Sequence, residues 1–191
     1  MSTTAFDLVI VGVGGQGTLL SSRILGQLAL QAGCDVKVSE VHGMSQRGGS
    51  VITYVRVGQD VHSPIVAMGQ ADYLLSFEEL EAARAADYLK PDGIAIVNTQ
   101  RIWPMPVITG AESYPDQPLQ ALGNRRVETA DALAVAVECG NQKALNLVLL
   151  GMLSKHLPFE EKSWMEVIGQ CVPRKTLSVN ISAFQRGRKL A

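Results

Sequence analysis

Short apolar runs alternate with segments of helical periodicity over the first half of the chain. The runs are rich in β-branched and aliphatic residues, which is typical of strands buried on both faces of a parallel sheet. They predict strands at 6–11, 36–38, 51–57, 72–77, 94–98 and 127–129. This alternation predicts an α/β fold: a three-layer, Rossmann-like, doubly wound and mostly parallel sheet with helices on both faces.

Helical periodicity fills most of the remaining sequence. The predicted helices span 18–32, 78–89, 132–138, 141–156, 160–171 and 183–190. Gly33 is placed to end the first helix, and Asp131 is placed to cap the third. The segment 143–153 is apolar nearly all round, so we expect it to be buried in the domain or at a subunit interface.

Other segments predict the connections between these elements. Residues 90–93 favour a turn, and the first two strands with the helix between them predict a βαβ unit. Four prolines interrupt residues 101–125, so we expect a loop-rich insertion there, with a strand near 107–108 and a short helix near 119–122. We predict a single domain over residues 1–191.

Composition narrows the functional classes. Only 18% of the residues are charged, below the usual quarter, so we expect a large buried interface and a homodimer when the chain is isolated. The net charge of −1 argues against nucleic-acid binding. We expect no signal peptide and no membrane span, because no apolar leader and no apolar stretch of about 20 residues is present.

Cysteine and histidine spacing predicts no metal site. The three cysteines are far apart and no C-x-x-C run occurs, which favours a reducing cytoplasm over a disulfide framework. The same spacing excludes an iron–sulfur binding run or a zinc knuckle. The three histidines are also well separated and form no H-E-x-x-H pattern.

Residues 40–49 combine long functional side chains with three glycines. In order they are Glu40, Val41, His42, Gly43, Met44, Ser45, Gln46, Arg47, Gly48 and Gly49. A plain turn does not need these side chains, and Glu and Arg are rarely buried without a partner, so we interpret the segment as a functional loop. A nucleophilic Ser45 is disfavoured, because the G-x-S-x-G frame is absent.

A glycine motif lies between the first strand and the first helix. Gly12, Gly14 and Gly17 match G-x-G-x-x-G, with Gly15 and Gln16 at its tip. Glu40 lies about where a ribose-binding acid would be, so a stand-alone NAD- or flavin-binding oxidoreductase is one interpretation. Tight packing of strand against helix is another. A third is an anion site, such as one for a coenzyme A phosphate, at the helix N-terminus.

Two motifs together resemble a known family. Residues 12–17 and 37–50 are similar to the gamma-domain family of 2-oxoacid:ferredoxin oxidoreductases, and the indolepyruvate-type beta subunits are the nearest branch. The likeness covers nearly the whole chain and continues through 89–93, 97–99, 140–141, 146–151 and 172–173. The His42–Gly49 run is its most specific part.

The resemblance implies a subunit of a larger enzyme. Such enzymes decarboxylate a 2-oxoacid oxidatively, form an acyl-CoA and carbon dioxide, and pass electrons to ferredoxin. Thiamine diphosphate, magnesium, iron–sulfur clusters and coenzyme A serve that chemistry. This chain has no thiamine–magnesium motif and no cluster cysteines, so the resemblance implies a non-catalytic chain. A larger partner would carry the cofactors and pass electrons to ferredoxin.

The same resemblance suggests what the 40–49 loop does. We expect it to lie against the catalytic subunit, near the channel for substrate or coenzyme A. Arg47 would pair with a carboxylate or phosphate, and His42 and Gln46 would orient polar groups. In the alternative interpretation Arg47 pairs with Glu40 and only stabilises the loop.

Overall fold

A six-stranded sheet forms the centre of the protein. The computed structural model describes residues 4–43 and 48–190. Within them the strands are β1 (Phe6–Val13), β2 (Asp35–His42), β3 (Ser50–Gly58), β4 (Ala71–Ser76), β5 (Leu89–Asn98) and β6 (Arg126–Ala130). Their order is β2-β3-β1-β4-β5-β6, and β3 runs opposite to the other five strands. The predicted mostly parallel sheet is confirmed.

Helices cover both faces of the sheet. They are α1 (Thr18–Gln31), α2 (Glu79–Arg84), α3 (Met105–Ile108), α4 (Ala132–Glu138), α5 (Leu145–Leu153), α6 (Glu161–Cys171) and α7 (Leu177–Arg188). Alternate residues of β1 face opposite sides, so Leu8 and Ile10 join a core with α1, α4, α5, α6 and α7. Val9 and Val11 join a second core with α2. These two cores confirm the three-layer α/β architecture.

Helix α5 is buried along its whole length, as its apolar sequence predicts. It crosses α7 at two glycines, and no room for a side chain exists there. A Cβ on Gly151 would lie 2.2 Å from the carbonyl oxygen of Phe184, and one on Gly187 would lie 2.0 Å from that of Val148. The two helix backbones are therefore in direct contact.

The predicted βαβ unit is present, because β1, α1 and β2 form a parallel crossover, but another strand lies inside it. Strands β1 and β2 are not adjacent, because β3 lies between them and pairs with both. β1 and β2 run parallel to each other because each of them is antiparallel to β3. Hydrophobic pattern identifies strands but carries no information about which strands are neighbours, so the sequence alone did not reveal the inserted β3.

Two predictions, a turn and a short strand, were wrong. The turn predicted at residues 90–93 lies inside β5. The register with β4 shifts between Ala71 and Tyr73, so the extra residues form an irregularity in the strand. The strand predicted near 107–108 is the short helix α3. Proline is tolerated in the first turn of a helix, so the prolines before Val107 start a helical turn instead of excluding one.

Several helix boundaries also differ from prediction. The helix predicted at 78–89 ends at Arg84 and continues as a 3-10 turn, Ala86–Tyr88. The last helix begins at Leu177, six residues before the predicted start. The two local signals are confirmed: Gly33 has a positive φ of 77° after α1, and the Asp131 carboxylate accepts from Ala134 N at the start of α4.

Candidate functional site

The glycine loop lies at the carboxyl end of β1 and leads into α1. Gly15 and Gly17 have φ values of 102° and 97°, which favour glycine. Helix α1 has no side-chain cap and no acidic residue in its first turn. Its first N–H groups form the positive end of the helix dipole, and the Glu40 carboxylate lies beside it, accepting from the Thr18 hydroxyl at 3.3 Å.

Gln16 fixes the shape of this loop. Its Oε1 accepts from Val13 N at 2.7 Å, and its Nε2 donates to Phe77 O at 3.1 Å and to Gln100 Oε1 at 3.2 Å. Gly12 lies beneath it, where a Cβ would be 2.8 Å from Gln16 Oε1. Gln16 and Gly12 thus hold the turn in place, and the backbone of Gly14, Gly15 and Gly17 forms its open side.

One cleft beside the loop, the Asn146 cleft, combines apolar walls with amides and a cation. Its volume is about 520 Å³, and it is lined by Gly15, Gln16, Gly17, Leu20, Gln100, Ile102, Leu133, Gln142, Lys143, Leu145 and Asn146. Asn146 is only 1% exposed, and its Oδ1 has no hydrogen-bond partner among the described residues. A buried amide oxygen without a partner is costly, so Asn146 is an unusual residue in the wall of this cleft.

A second cleft, the Glu40 cleft, lies on the other side of the α1 N-terminus. Its volume is about 370 Å³, and its lining residues are Gly14, Gly15, Gly17, Thr18, Leu19, Glu40, His42 and Val51. The Glu40 carboxylate accepts from the hydroxyls of Thr18, at 3.3 Å, and Thr53, at 3.1 Å. Glu40 thereby ties β2 to α1 and β3, and it makes this cleft less suited to an anion than the Asn146 cleft.

The structure brings the two sequence motifs together. Gly14 N donates to Gly49 O at 2.9 Å, so the end of the 40–49 loop contacts the glycine loop directly. His42 is exposed, and its Nδ1 lies 3.1 Å from Gly43 O. Met44, Ser45, Gln46 and Arg47 lie outside the described residues. The alternative pairing of Arg47 with Glu40 therefore stays a prediction.

Three buried glutamates near the site were not predicted as functional. Glu78, Glu79 and Glu81 follow β4, and all three are buried. Glu78 accepts from Ile102 N at 3.0 Å and from the Tyr114 hydroxyl at 2.6 Å. Burial and this hydrogen bond raise the pKa of Tyr114 well above its usual value. A run of acids at the end of a buried strand was the signal that could have revealed them.

The other two glutamates pair with arginine side chains, and one of them also accepts a hydrogen bond from the start of β3. Glu79 pairs with Arg101 at 2.7 Å. Glu81 pairs with Arg84 at 2.6 Å and accepts from the Ser50 hydroxyl. Because carboxylates are costly to bury without partners, these contacts explain how three acids are accommodated at the edge of the sheet.

The described residues offer no metal site. Across 4–43 and 48–190, no three His, Cys, Asp or Glu side chains are grouped so that they could hold a metal ion. The same ranges contain no helix with the length and apolar character needed to cross a bilayer.

Comparison with known proteins confirms the resemblance. The family model "Pyruvate ferredoxin/flavodoxin oxidoreductase" matches residues 7–190. Indolepyruvate oxidoreductase subunit IorB of Thermococcus kodakarensis is 45% identical, over 97% of this chain and 96% of that protein. The keto/oxoacid ferredoxin oxidoreductase gamma subunit of Geobacter sulfurreducens has a similar fold, with a TM-score of 0.74 at 22% identity and coverage of 97% and 98%.

A longer protein contains the same fold. 2-Oxoglutarate:ferredoxin oxidoreductase of Magnetococcus marinus, solved with 2-oxoglutarate, coenzyme A and succinyl-CoA bound, matches with a TM-score of 0.75 at 20% identity. The match covers 98% of this chain and 31% of that one. The match of one family model along nearly the whole sequence, together with a relative 45% identical, settles the classification. The chain belongs to the pyruvate ferredoxin/flavodoxin oxidoreductase family.

Proposed function

We propose that this chain is the non-catalytic subunit of an indolepyruvate-type 2-oxoacid:ferredoxin oxidoreductase. The observation that carries the proposal is its 45% identity, over almost its whole length, to a protein named as an indolepyruvate oxidoreductase subunit. The assembled enzyme would decarboxylate a 2-oxoacid oxidatively, form an acyl-CoA and carbon dioxide, and transfer two electrons to ferredoxin.

A larger partner subunit would carry the redox and thiamine chemistry. The described donor groups do not fit a metal or an iron–sulfur cluster, because no three of them lie together. The three cysteines are separate, partly buried thiols. We therefore assign thiamine diphosphate, magnesium and the clusters to the partner, and the transfer of electrons to ferredoxin as well.

The Asn146 cleft and the glycine loop would bind the anionic part of coenzyme A. Free N–H groups at the start of α1 favour a phosphate, and Lys143 adds a positive charge at the rim. The amides of Asn146 and Gln142, which line the cleft, suit the amides of a pantetheine arm, and Leu20 supplies an apolar wall. The Magnetococcus protein was solved with coenzyme A bound, which is consistent with this assignment.

The 40–49 loop would contact the partner subunit near that ligand. Its end is joined to the glycine loop through Gly14 and Gly49, so both motifs occupy one edge of the sheet. We propose that Arg47 pairs with a carboxylate or phosphate, which its planar fork suits. Arg47→Ala should then lower 2-oxoacid turnover in the assembled complex and leave thermal unfolding of the isolated chain unchanged. Undiminished turnover in a fully assembled complex would refute this role.

The subunit assignment is tested by isolating the natural complex. A tagged chain is captured anaerobically from its own cells, and the eluate is assayed for coenzyme A-dependent dye reduction with indolepyruvate, phenylpyruvate and pyruvate. A large cofactor-bearing partner with activity on indolepyruvate supports the proposal. A chain that elutes without a partner and binds NAD(H) or flavin would instead support the dinucleotide-binding interpretation.

The ligand assignment needs a separate measurement. In the active complex, Lys143→Ala should raise the KM for coenzyme A about tenfold, the usual effect of losing one charge-assisted contact to a phosphate. Lys162→Ala is the matched control, because Lys162 lies on α6 and its side chain is 84% exposed. Equal KM values for both variants would exclude Lys143 from the site.

A further inference from the structure

The beginning of β3 is attached to α2 by a single buried carboxylate. Ser50 is the first residue of β3 and follows Gly48 and Gly49 directly. Its hydroxyl donates to Oε2 of Glu81, which is 4% exposed although Ser50 itself is on the surface. A hydrogen bond to a buried carboxylate is among the stronger contacts that a hydroxyl can make.

The same short segment is tied to the glycine loop. Gly49 O accepts from Gly14 N at 2.9 Å, and Ser50 pairs with Val13 in the sheet. The end of the 40–49 loop is thus held from two sides: by the glycine loop along the sheet, and by Glu81 from the α2 layer. A shift of Ser50 would displace Gly49 and, with it, the backbone of Gly14.

Helix α2 also holds the segment on the other side of the site. Glu79 pairs with Arg101, and Glu78 accepts from the backbone of Ile102, which lines the Asn146 cleft. The glutamates at the start of this helix therefore contact both segments that border the glycine loop.

We propose that Glu81 is a positioning residue that fixes Gly48 and Gly49, the end of the 40–49 loop, through the Ser50 hydroxyl. The proposal concerns the described residues only, and its consequence for catalysis rests on the proposed function. The competing explanation is that Glu81 only stabilises α2, through its pair with Arg84 three residues later. That explanation predicts that the pair with Arg84 matters and that the Ser50 hydroxyl does not.

Four variants separate the two explanations. Ser50→Ala removes the hydroxyl, and Ser50→Thr restores it in a residue that suits a strand. Glu81→Ala removes the acceptor, and Arg84→Ala removes only the competing pair. Should Glu81→Ala fail to fold, Ser50→Ala and its threonine partner still decide the question, because Ser50 is exposed.

The first measurement is amide hydrogen exchange in the full chain at Gly14, whose N–H donates to Gly49 O. Ser50→Ala and Glu81→Ala should speed exchange there about tenfold or more, as expected from the loss of a hydrogen bond to a charged group. Ser50→Thr and Arg84→Ala should exchange like the wild type. Unchanged exchange in Ser50→Ala, or equally faster exchange in Arg84→Ala, would overturn the proposal.

The second measurement is the steady-state kinetics of the assembled complex. Ser50→Ala should raise the KM for coenzyme A several-fold and change kcat little, and Ser50→Thr should restore the wild-type KM. The reason is that the end of the loop borders the proposed coenzyme A site but is not part of it. Faster exchange with an unchanged KM supports the positioning role and counts against the proposed coenzyme A site. The two proposals can therefore fail separately.

Discussion

Gly151→Ala is the sharpest test of how the helical layer is packed. On helix propensity alone, alanine should stabilise α5 by about 1 kcal/mol, because glycine is a poor helix former. The structure predicts the opposite sign. The new Cβ would lie 2.2 Å from the backbone carbonyl oxygen of Phe184 and 2.9 Å from Arg188 N, whereas ordinary contact begins at 3.4 Å.

The size of the effect follows from what would have to move. The obstructing atoms belong to the backbone of α7, so no side-chain rotation relieves the contact, and the helices must separate by about 1 Å. Overpacking of this kind costs about 3 kcal/mol, and a gap of that width forfeits much of the dispersion attraction between two buried helices. After the gain in propensity, the variant should be less stable by about 2 kcal/mol, or roughly 4–8 °C in Tm.

Urea unfolding followed by far-UV circular dichroism measures this difference. Gly169→Ala is the matched control, because Gly169 lies on the exposed side of α6 and a Cβ there would meet nothing within 4 Å. That variant should be more stable than the wild type by about 0.5–1 kcal/mol. The same chemical change should thus have opposite signs at the two positions. A Gly151→Ala protein as stable as Gly169→Ala would refute the direct backbone contact of α5 and α7.

Three further predictions concern single residues. Tyr114→Phe removes a donor from the buried Glu78 carboxylate and should lower the free energy of unfolding by about 1–3 kcal/mol, measured in urea; no loss would mean that solvent replaces the hydroxyl. Burial alone would raise the pKa of Glu128, but the hydrogen bonds and charges of His156 and Arg126 together lower it overall. The ionised Glu128 therefore stabilises the folded state at pH values above the usual carboxyl pKa. This stabilisation is lost as the pH falls through the folded-state pKa. Glu128→Gln should reduce the loss in the free energy of unfolding between pH 7 and 3, measured by urea unfolding at each pH. An unchanged pH dependence would contradict this role of Glu128. Gly17→Ala should cost about 1–2 kcal/mol, because its φ of 97° disfavours alanine; a thermal melt equal to that of the wild type would show that the loop adapts.

The sequence alone determined the elements whose signals are local. Apolar runs identified the strands, Gly33 and Asp131 marked helix ends, and the glycine motif lay correctly between β1 and α1. These signals depend on a few neighbouring residues, because side-chain alternation, φ preference and capping bonds act within about four positions. The family could be recognised for a similar reason, since its two motifs are continuous segments.

Only the tertiary structure decided which distant segments meet. It placed β3 between β1 and β2, and it joined Gly14 to Gly49 and Ser50 to Glu81. It also showed that Gly151 and Gly187 allow two helices to touch. Except for the pairing of β2 with β3, these contacts join residues more than 30 positions apart. A single sequence shows what each residue can donate, accept or exclude, but not which partner folding brings to it.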